Sequence, residues 1–280
     1  MDDSAQPAGA STAAVGATAP APAVQRDLLG RTVLGGALLA VGGSLVAALG
    51  SGWGLWSFGP ALRVVFFAGI ACGLILILAI AGWGWAQRKQ RPVAWRTLGP
   101  GMLIAAAFLL YFLRFIWLGT TLPAIHDISS DPADPPAFVA IAPRADSETA
   151  VPGADDPKMQ GLSPRQRLSR LQAEAYGDIR SVRLETTPQQ AFDRASALVA
   201  SRGWEVAASD PATGRIEATD TSTFFRFKDD VLIRVRPAET GNAAIVDMRS
   251  VSRVGQHDFG VNANRVRAFL ADLSAGTGDR

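Results

Sequence analysis

Three apolar runs, Thr32–Gly50, Val64–Trp85 and Leu98–Leu118, constrain this chain more than any motif in it. Each approaches the ~20 residues that a helix needs to cross a hydrocarbon core of about 30 Å. Inside a bilayer the backbone N–H and C=O groups must be satisfied within the segment itself, so runs of this length predict three transmembrane helices. Residues 120–280 mix apolar and polar positions in the way a water-exposed domain does.

Charge separates along the same boundary. Residues 1–119 hold eight Lys or Arg against three Asp or Glu, whereas residues 120–280 hold nineteen against twenty-two. The overall basic balance therefore belongs to the membrane half. A nucleic-acid partner would need a basic face on the soluble half, so that class is excluded. The single cysteine, Cys72, lies in the second run, which leaves no intramolecular disulfide and no cysteine metal site.

Lys and Arg in short loops mark the cytoplasmic side of a membrane. The loop 87–97 carries Arg88, Lys89, Arg91 and Arg96, the loop 51–60 carries no charge, and Arg26 and Arg31 flank the first run. The expected topology has the N-terminus inside and the C-terminal domain outside, in the inner membrane of the cell. Trp53, Trp56, Trp83, Trp85, Trp95 and Trp117 fall near the ends of the runs, as interfacial anchors do. Arg114, about one turn from the end of its run, is expected to snorkel. The small residues Gly69 and Gly73, and the stripe Gly36, Ala40 and Ser44, are expected to pack the spans against one another.

Residues 1–27 are rich in Ala and Pro and are read as a disordered tail, followed by the membrane region at 28–119. Prolines make 120–160 an extended segment, although Ile125-His126-Asp127-Ile128 alternates as a docked strand would. An extracytoplasmic domain is expected at 161–274, with a flexible end at 275–280. Ser163 and Pro164 open a helix that buries Leu168, Leu171 and Ala175 and turns Arg167, Ser169 and Gln172 to water. Thr187, Pro188 and Gln190 make a capping box for the next helix, which Gly203 ends. Strands follow at 204–207, 215–220, 231–236 and 243–250, and an amphipathic helix with Val266, Phe269, Leu270 and Leu273 closes the chain. The fold class is α+β: a helix, a four-stranded mainly antiparallel sheet and a helix, preceded by three transmembrane α-helices.

Several blocks, in order and at matching spacing, resemble the domain of unknown function 1499 family. They are Ile125-His126-Asp127-Ile128-Ser129, Tyr176-Gly177-Asp178-Ile179, Ala218-Thr219-Asp220-Thr221, Phe227-Lys228-Asp229-Asp230-Val231 and Arg249 to Gly255, followed by Asp258, Gly260, Asn262 and Arg265. The resemblance covers about residues 122–273, and the spans resemble the anchors of bacterial members. Gly177 stands where the family pattern carries proline, which loosens one turn. The resemblance implies no activity, because none is established for the family.

The polar blocks hold two constellations. His126, Asp127, Asp220, Asp229 and Asp230 are ligand types for zinc or calcium. Adjacent strand residues point to opposite faces, however, so no metal and no cofactor is expected; a metal would fall to His126, Asp229 and Asp230. Ser250, Ser252, Arg253, Gly255, Gly260, Asn262, Asn264 and Arg265 lead into the last helix, where N–H groups and two arginines suit an anion or phosphate. The alternative is that Arg253 and Arg265 pair with Asp220, Asp229 or Asp258. Nucleophile-elbow, Walker and dinucleotide motifs are lacking.

The sequence thus reads as a membrane-anchored binding or accessory module of the cell envelope rather than an enzyme. Its candidate binding face is His126, Asp127, Asp220, Thr221, Asp229, Asp230, Arg253, Asp258, Asn262 and Arg265. Its expected partners are the lipid bilayer and either another envelope protein or an anionic lipid head group. The alternative, a metal-dependent hydrolase acting on an envelope substrate, requires three or more of these groups within about 4 Å of one point.

Overall fold

The computed structural model describes residues 27–142, 144–146 and 150–276. The tail before Asp27 and the end of the chain after Gly276 lie outside the described residues.

Three helices come first: α1 (Leu28–Gly52), α2 (Phe58–Arg88) and α3 (Trp95–Thr121), each long and apolar enough to cross a membrane. At ~1.5 Å per residue even the shortest exceeds the hydrocarbon thickness. This is the organisation of a multi-pass membrane protein. The helices meet through small side chains. Ala37, Cys72 and Ala105, one from each helix, form a fully buried layer. Gly69 lies under the ring of Phe112 and Gly73 beside Leu109, so both glycines face α3. Gly101 touches the backbone of α1, where an added Cβ would sit 2.7 Å from the Leu34 amide nitrogen. Asp27 caps α1 by accepting from the Gly30 N–H at 3.0 Å and accepts a second hydrogen bond from Thr97, at the start of α3. The Arg114 guanidinium lies over the Phe115 ring.

The C-terminal domain is built on six antiparallel strands: β1 (Asp127–Ser129), β2 (Val182–Leu184), β3 (Glu205–Asp210), β4 (Arg215–Thr221), β5 (Lys228–Pro237) and β6 (Ala244–Ser252). Their order is β1-β6-β5-β4-β3, with β2 sharing the β6 edge with β1. The four expected strands form the centre, and two three-residue strands extend it. Helices α4 (Pro164–Tyr176), α5 (Pro188–Ser201) and α6 (Val261–Ala275) complete the domain. The capping box predicted at Thr187 and Gln190 is present, and Ser163 with Gln166 forms a second one. Val231, Ile233 and Val235 of β5 join Phe192 of α5 and Phe269 of α6 in one core, and Trp204 stacks on Phe269.

Antiparallel sheets often leave their second face to water. Here the proline-rich segment from Ser130 to Ile141 crosses it. Its anchor is Glu217 of β4, which is 0% exposed and accepts the consecutive N–H groups of Val139, Ala140 and Ile141 at 2.8, 2.9 and 2.8 Å. The same region corrects one expectation. Gln172 does not face water: it is 3% exposed, accepts the Ser129 N–H and donates to the Ser129 carbonyl. Ser169 and Arg167 likewise donate to backbone carbonyls, at Pro132 and Leu162. The side of α4 that reads as solvated is covered by chain that comes from elsewhere in the sequence.

Two contacts seat the domain on the helices. His257 Nε2 donates to the Leu122 carbonyl at 3.2 Å while its Nδ1 accepts the Phe259 N–H, and the Phe259 ring meets Phe115 of α3 edge-on. The β4–β5 loop lies against the α1–α2 turn, with Phe227 edge-on to Phe58 and the Phe224 carbonyl beside Gly52.

Candidate functional site

Of the ten predicted residues, Asp127, Asp220, Thr221, Asp229 and Asp230 lie on strands, and alternation divides them between the two faces of the sheet. On the helix-covered face, Arg265 of α6 reaches three strands. It donates to Asp220 of β4 at 2.9 Å, to Asp229 of β5 at 2.7 Å and to Ser250 of β6 at 3.0 Å. It also donates to Asn262 Oδ1 at 2.6 Å, and Asn262 Nδ2 bonds to Ser252 and the His126 carbonyl. Only Arg presents five donors in a fixed planar fork, which is why one side chain can hold all four partners.

Asp230 follows Asp229 directly and therefore points the other way. It pairs in a fork with Arg253, at distances down to 2.7 Å, and accepts the Thr219 hydroxyl at 2.9 Å. The guanidinium of Arg253 is held further toward its charged form by those bonds. On the same face Asp127 pairs with Arg249 at 2.6 Å. Asp247, 0% exposed, accepts from Arg234 and Arg236 at 2.8 and 3.1 Å. Thr221 pairs across the ladder with Lys228 and takes part in neither cluster.

The N-terminus of α6 was a candidate anion site, and a carboxylate of the chain already fills it. Asp258 accepts the N–H groups of Gly260 and Asn262 at 2.8 and 2.9 Å. Burial pushes its pKa up, against those two bonds. Of the expected partners Asp220, Asp229 and Asp258, Arg265 takes the first two and Asp258 serves as a cap, while Arg253 pairs instead with Asp230, which the expectation did not name. Nearby, Tyr176 is buried with no hydrogen-bond partner among the described residues, and desolvation, with the charge of Asp258, pushes its hydroxyl pKa up to about 12.

His126 is buried, and among the described residues neither ring nitrogen has a partner of good geometry. Burial, then the charge of Arg144, lowers its pKa; weaker effects of the Gln256 backbone, Asp127 and Asp146 oppose this. The described residues hold no cluster of three or more His, Cys, Asp or Glu suited to a metal. The residues a hydrolase would bring together are instead divided between two faces and engaged by different arginines.

A family model, Protein of unknown function (DUF1499), matches residues 127–273, more than half of the chain. The chain belongs to this family. A comparison with curated proteins finds no match.

The DUF1499 domain is open at its junction with the helices. A cleft of about 350 Å³ lies between the α1–α2 turn and the β4–β5 loop. Trp56, Phe58 and Phe227 supply aromatic walls, and Arg226, Lys228 and Arg253 supply three cations. No Asp or Glu lines it. The sequence puts Arg253 in the candidate binding face and Trp56 among the interfacial anchors, but it does not mark Arg226 or Lys228 as binding residues. A signal was present: Phe224-Phe225-Arg226-Phe227 puts three aromatics and a cation where a hairpin loop is ordinarily polar.

Proposed function

We propose that this DUF1499 protein is an inner-membrane protein of the cell envelope whose extracytoplasmic domain works by binding. The basic loop between α2 and α3 supports a cytoplasmic N-terminus, and with three spans the domain then lies outside. The observation that carries the binding reading is the engagement of the polar blocks. Arg265, Arg253, Arg249 and the amides of α6 already hold Asp220, Asp229, Asp230, Asp127 and Asp258. Carboxylates held this way build a fold; they do not ionise a water or a metal ligand set. Arg226, Lys228 and Arg253 lie together where the domain meets the spans, which supports an occupant that comes from the membrane or its surface.

Two experiments test this reading. An alkaline phosphatase reporter fused after Arg280 is expected to be active, and a cytoplasmic reporter result would overturn the topology. Thermal melting of the purified chain is expected to be the same with divalent metal as with chelator. A metal-dependent rise that chelator reverses and that Asp229→Asn abolishes would overturn this and revive the metal-dependent hydrolase reading.

A further inference from the structure

We propose that the cleft at the domain–membrane junction binds the head group of an anionic phospholipid, with Arg226, Lys228 and Arg253 on its phosphate. This deepens the binding reading above and rests on it for the insertion of α1 to α3 in a bilayer.

Position is the first argument. The cleft floor is Ser51, Trp56, Ser57 and Phe58, the turn between two spans, so the cleft opens at the depth where head groups lie. Trp56 is fixed there, donating from its ring nitrogen to the Ala47 carbonyl at 2.9 Å with its ring across Gly50.

Charge is the second. Arg226 is exposed and has no ion-pair or hydrogen-bond partner among the described residues. Its backbone is in the left-handed region at φ 53, which disfavours a branched or long side chain and is maintained only where the surroundings fix it. Its sequence neighbours Phe225 and Phe227 stack on each other at 5.0 Å across the turn and are those surroundings. Arg253 uses Nε and Nη2 on Asp230 and Thr219, which leaves Nη1 for a further acceptor. Its side chain is 41% exposed. Among the described residues Lys228 pairs with the exposed Glu205 at 3.5 Å, a contact that solvent screens. Arginine binds phosphate oxygens in a fork and lysine adds a point charge.

Apolar exposure is the third. Phe224 and Val254 are 52% and 39% exposed beside this cleft. On a domain facing only water they would be poorly placed, but next to a head group they meet the acyl chain below it.

The test uses the full chain purified in neutral detergent, with melting followed by tryptophan fluorescence. Dioctanoyl phosphatidylglycerol at saturation is expected to raise Tm by about 5 °C. Dioctanoyl phosphatidylcholine and inorganic phosphate are expected to leave it unchanged. Arg226→Gln, which touches no structural pair, is expected to melt normally without lipid and to weaken phosphatidylglycerol binding about tenfold, the loss of one charge-assisted contact. Lys228→Gln should weaken it less. An equal shift with phosphatidylcholine, saturation by inorganic phosphate alone, or an unaltered response in Arg226→Gln would each overturn the proposal. These outcomes do not depend on which side of the membrane the domain occupies. A lipid failure with an active phosphatase reporter removes the occupant and leaves the extracytoplasmic reading. A silent reporter with intact phosphatidylglycerol binding does the reverse.

Discussion

The two halves of this molecule are packed by opposite rules. In the spans most fully buried side chains are small, Ala37, Cys72, Ala79 and Ala105, with Leu98 the large exception near the start of α3, while Leu39, Phe67, Ile77 and Leu103 face outward. In the domain Ile233, Met248 and Phe269 are fully buried, and so are the charges of Glu217 and Asp247. Where lipid is the solvent, apolar surface gains nothing by leaving it, so the side chains between helices are chosen for close approach. Where water is the solvent, apolar surface is driven inside, and a charge follows only if its partners come too. Size sorts residues in one half and polarity in the other.

Breaking the domain's rule should have the largest effect. Arg265→Leu leaves Asp229 buried without its partner and unties β4, β5 and β6 from α6. It should destabilise the domain by about 3–5 kcal/mol, read from denaturant unfolding of the full chain. Glu217→Ala strands three consecutive amides. A loss of about 3 kcal/mol is expected, with hydrogen exchange at Val139, Ala140 and Ile141 rising more than elsewhere. If exchange rises uniformly, Glu217 is not what holds that segment.

The rule of the spans is tested by a single methyl. Gly101→Ala puts a Cβ against the backbone of Leu34, so about 1–3 kcal/mol should be lost, seen as a lower melting temperature in detergent. Gly42, with nothing within 4 Å of an added Cβ, should accept alanine without loss. Equal effects at the two sites would mean that helix propensity, not close approach, governs the region.

The smallest effect expected is a pH dependence from His126, which faces Arg144, Asp127, Asp146 and the Gln256 backbone. Its folded pKa lies below its ordinary value, so the unfolded chain binds the proton more readily. The stabilisation from a neutral buried ring is complete above the unfolded pKa of about 6.5 and is lost as pH falls through the lower folded value. Melting temperature should drop between about pH 7.5 and pH 5.5, and His126→Phe should flatten that slope. An unchanged slope would assign the acid sensitivity to another group.

Legibility in the sequence follows the same division. The spans depend on length and apolarity, both local, and their bounds fall within a few residues of the helices observed. The central strands and the Thr187 capping box are local as well. The crossing segment was not legible, because a proline-rich stretch declares only that it is not helical. What orders it is a carboxylate 76 to 78 residues away. Gln172 was misread for the same reason: its partner, Ser129, is 43 residues upstream. The strand expected at 231–236 begins at Lys228, so Asp229 and Asp230 lie inside it and point to opposite faces, and each meets an arginine distant in sequence.

The link between α3 and β1 is five residues, Leu122 to His126, and its first carbonyl is held by His257. Fully extended, such a link spans no more than about 18 Å. The domain therefore has a short leash and no swing. It stays within a few residues of the end of α3, with its β4–β5 loop against the α1–α2 turn. Any tilt of α3 is passed to the sheet with little slack, so a change in the bilayer is felt by the domain as a change in its own orientation.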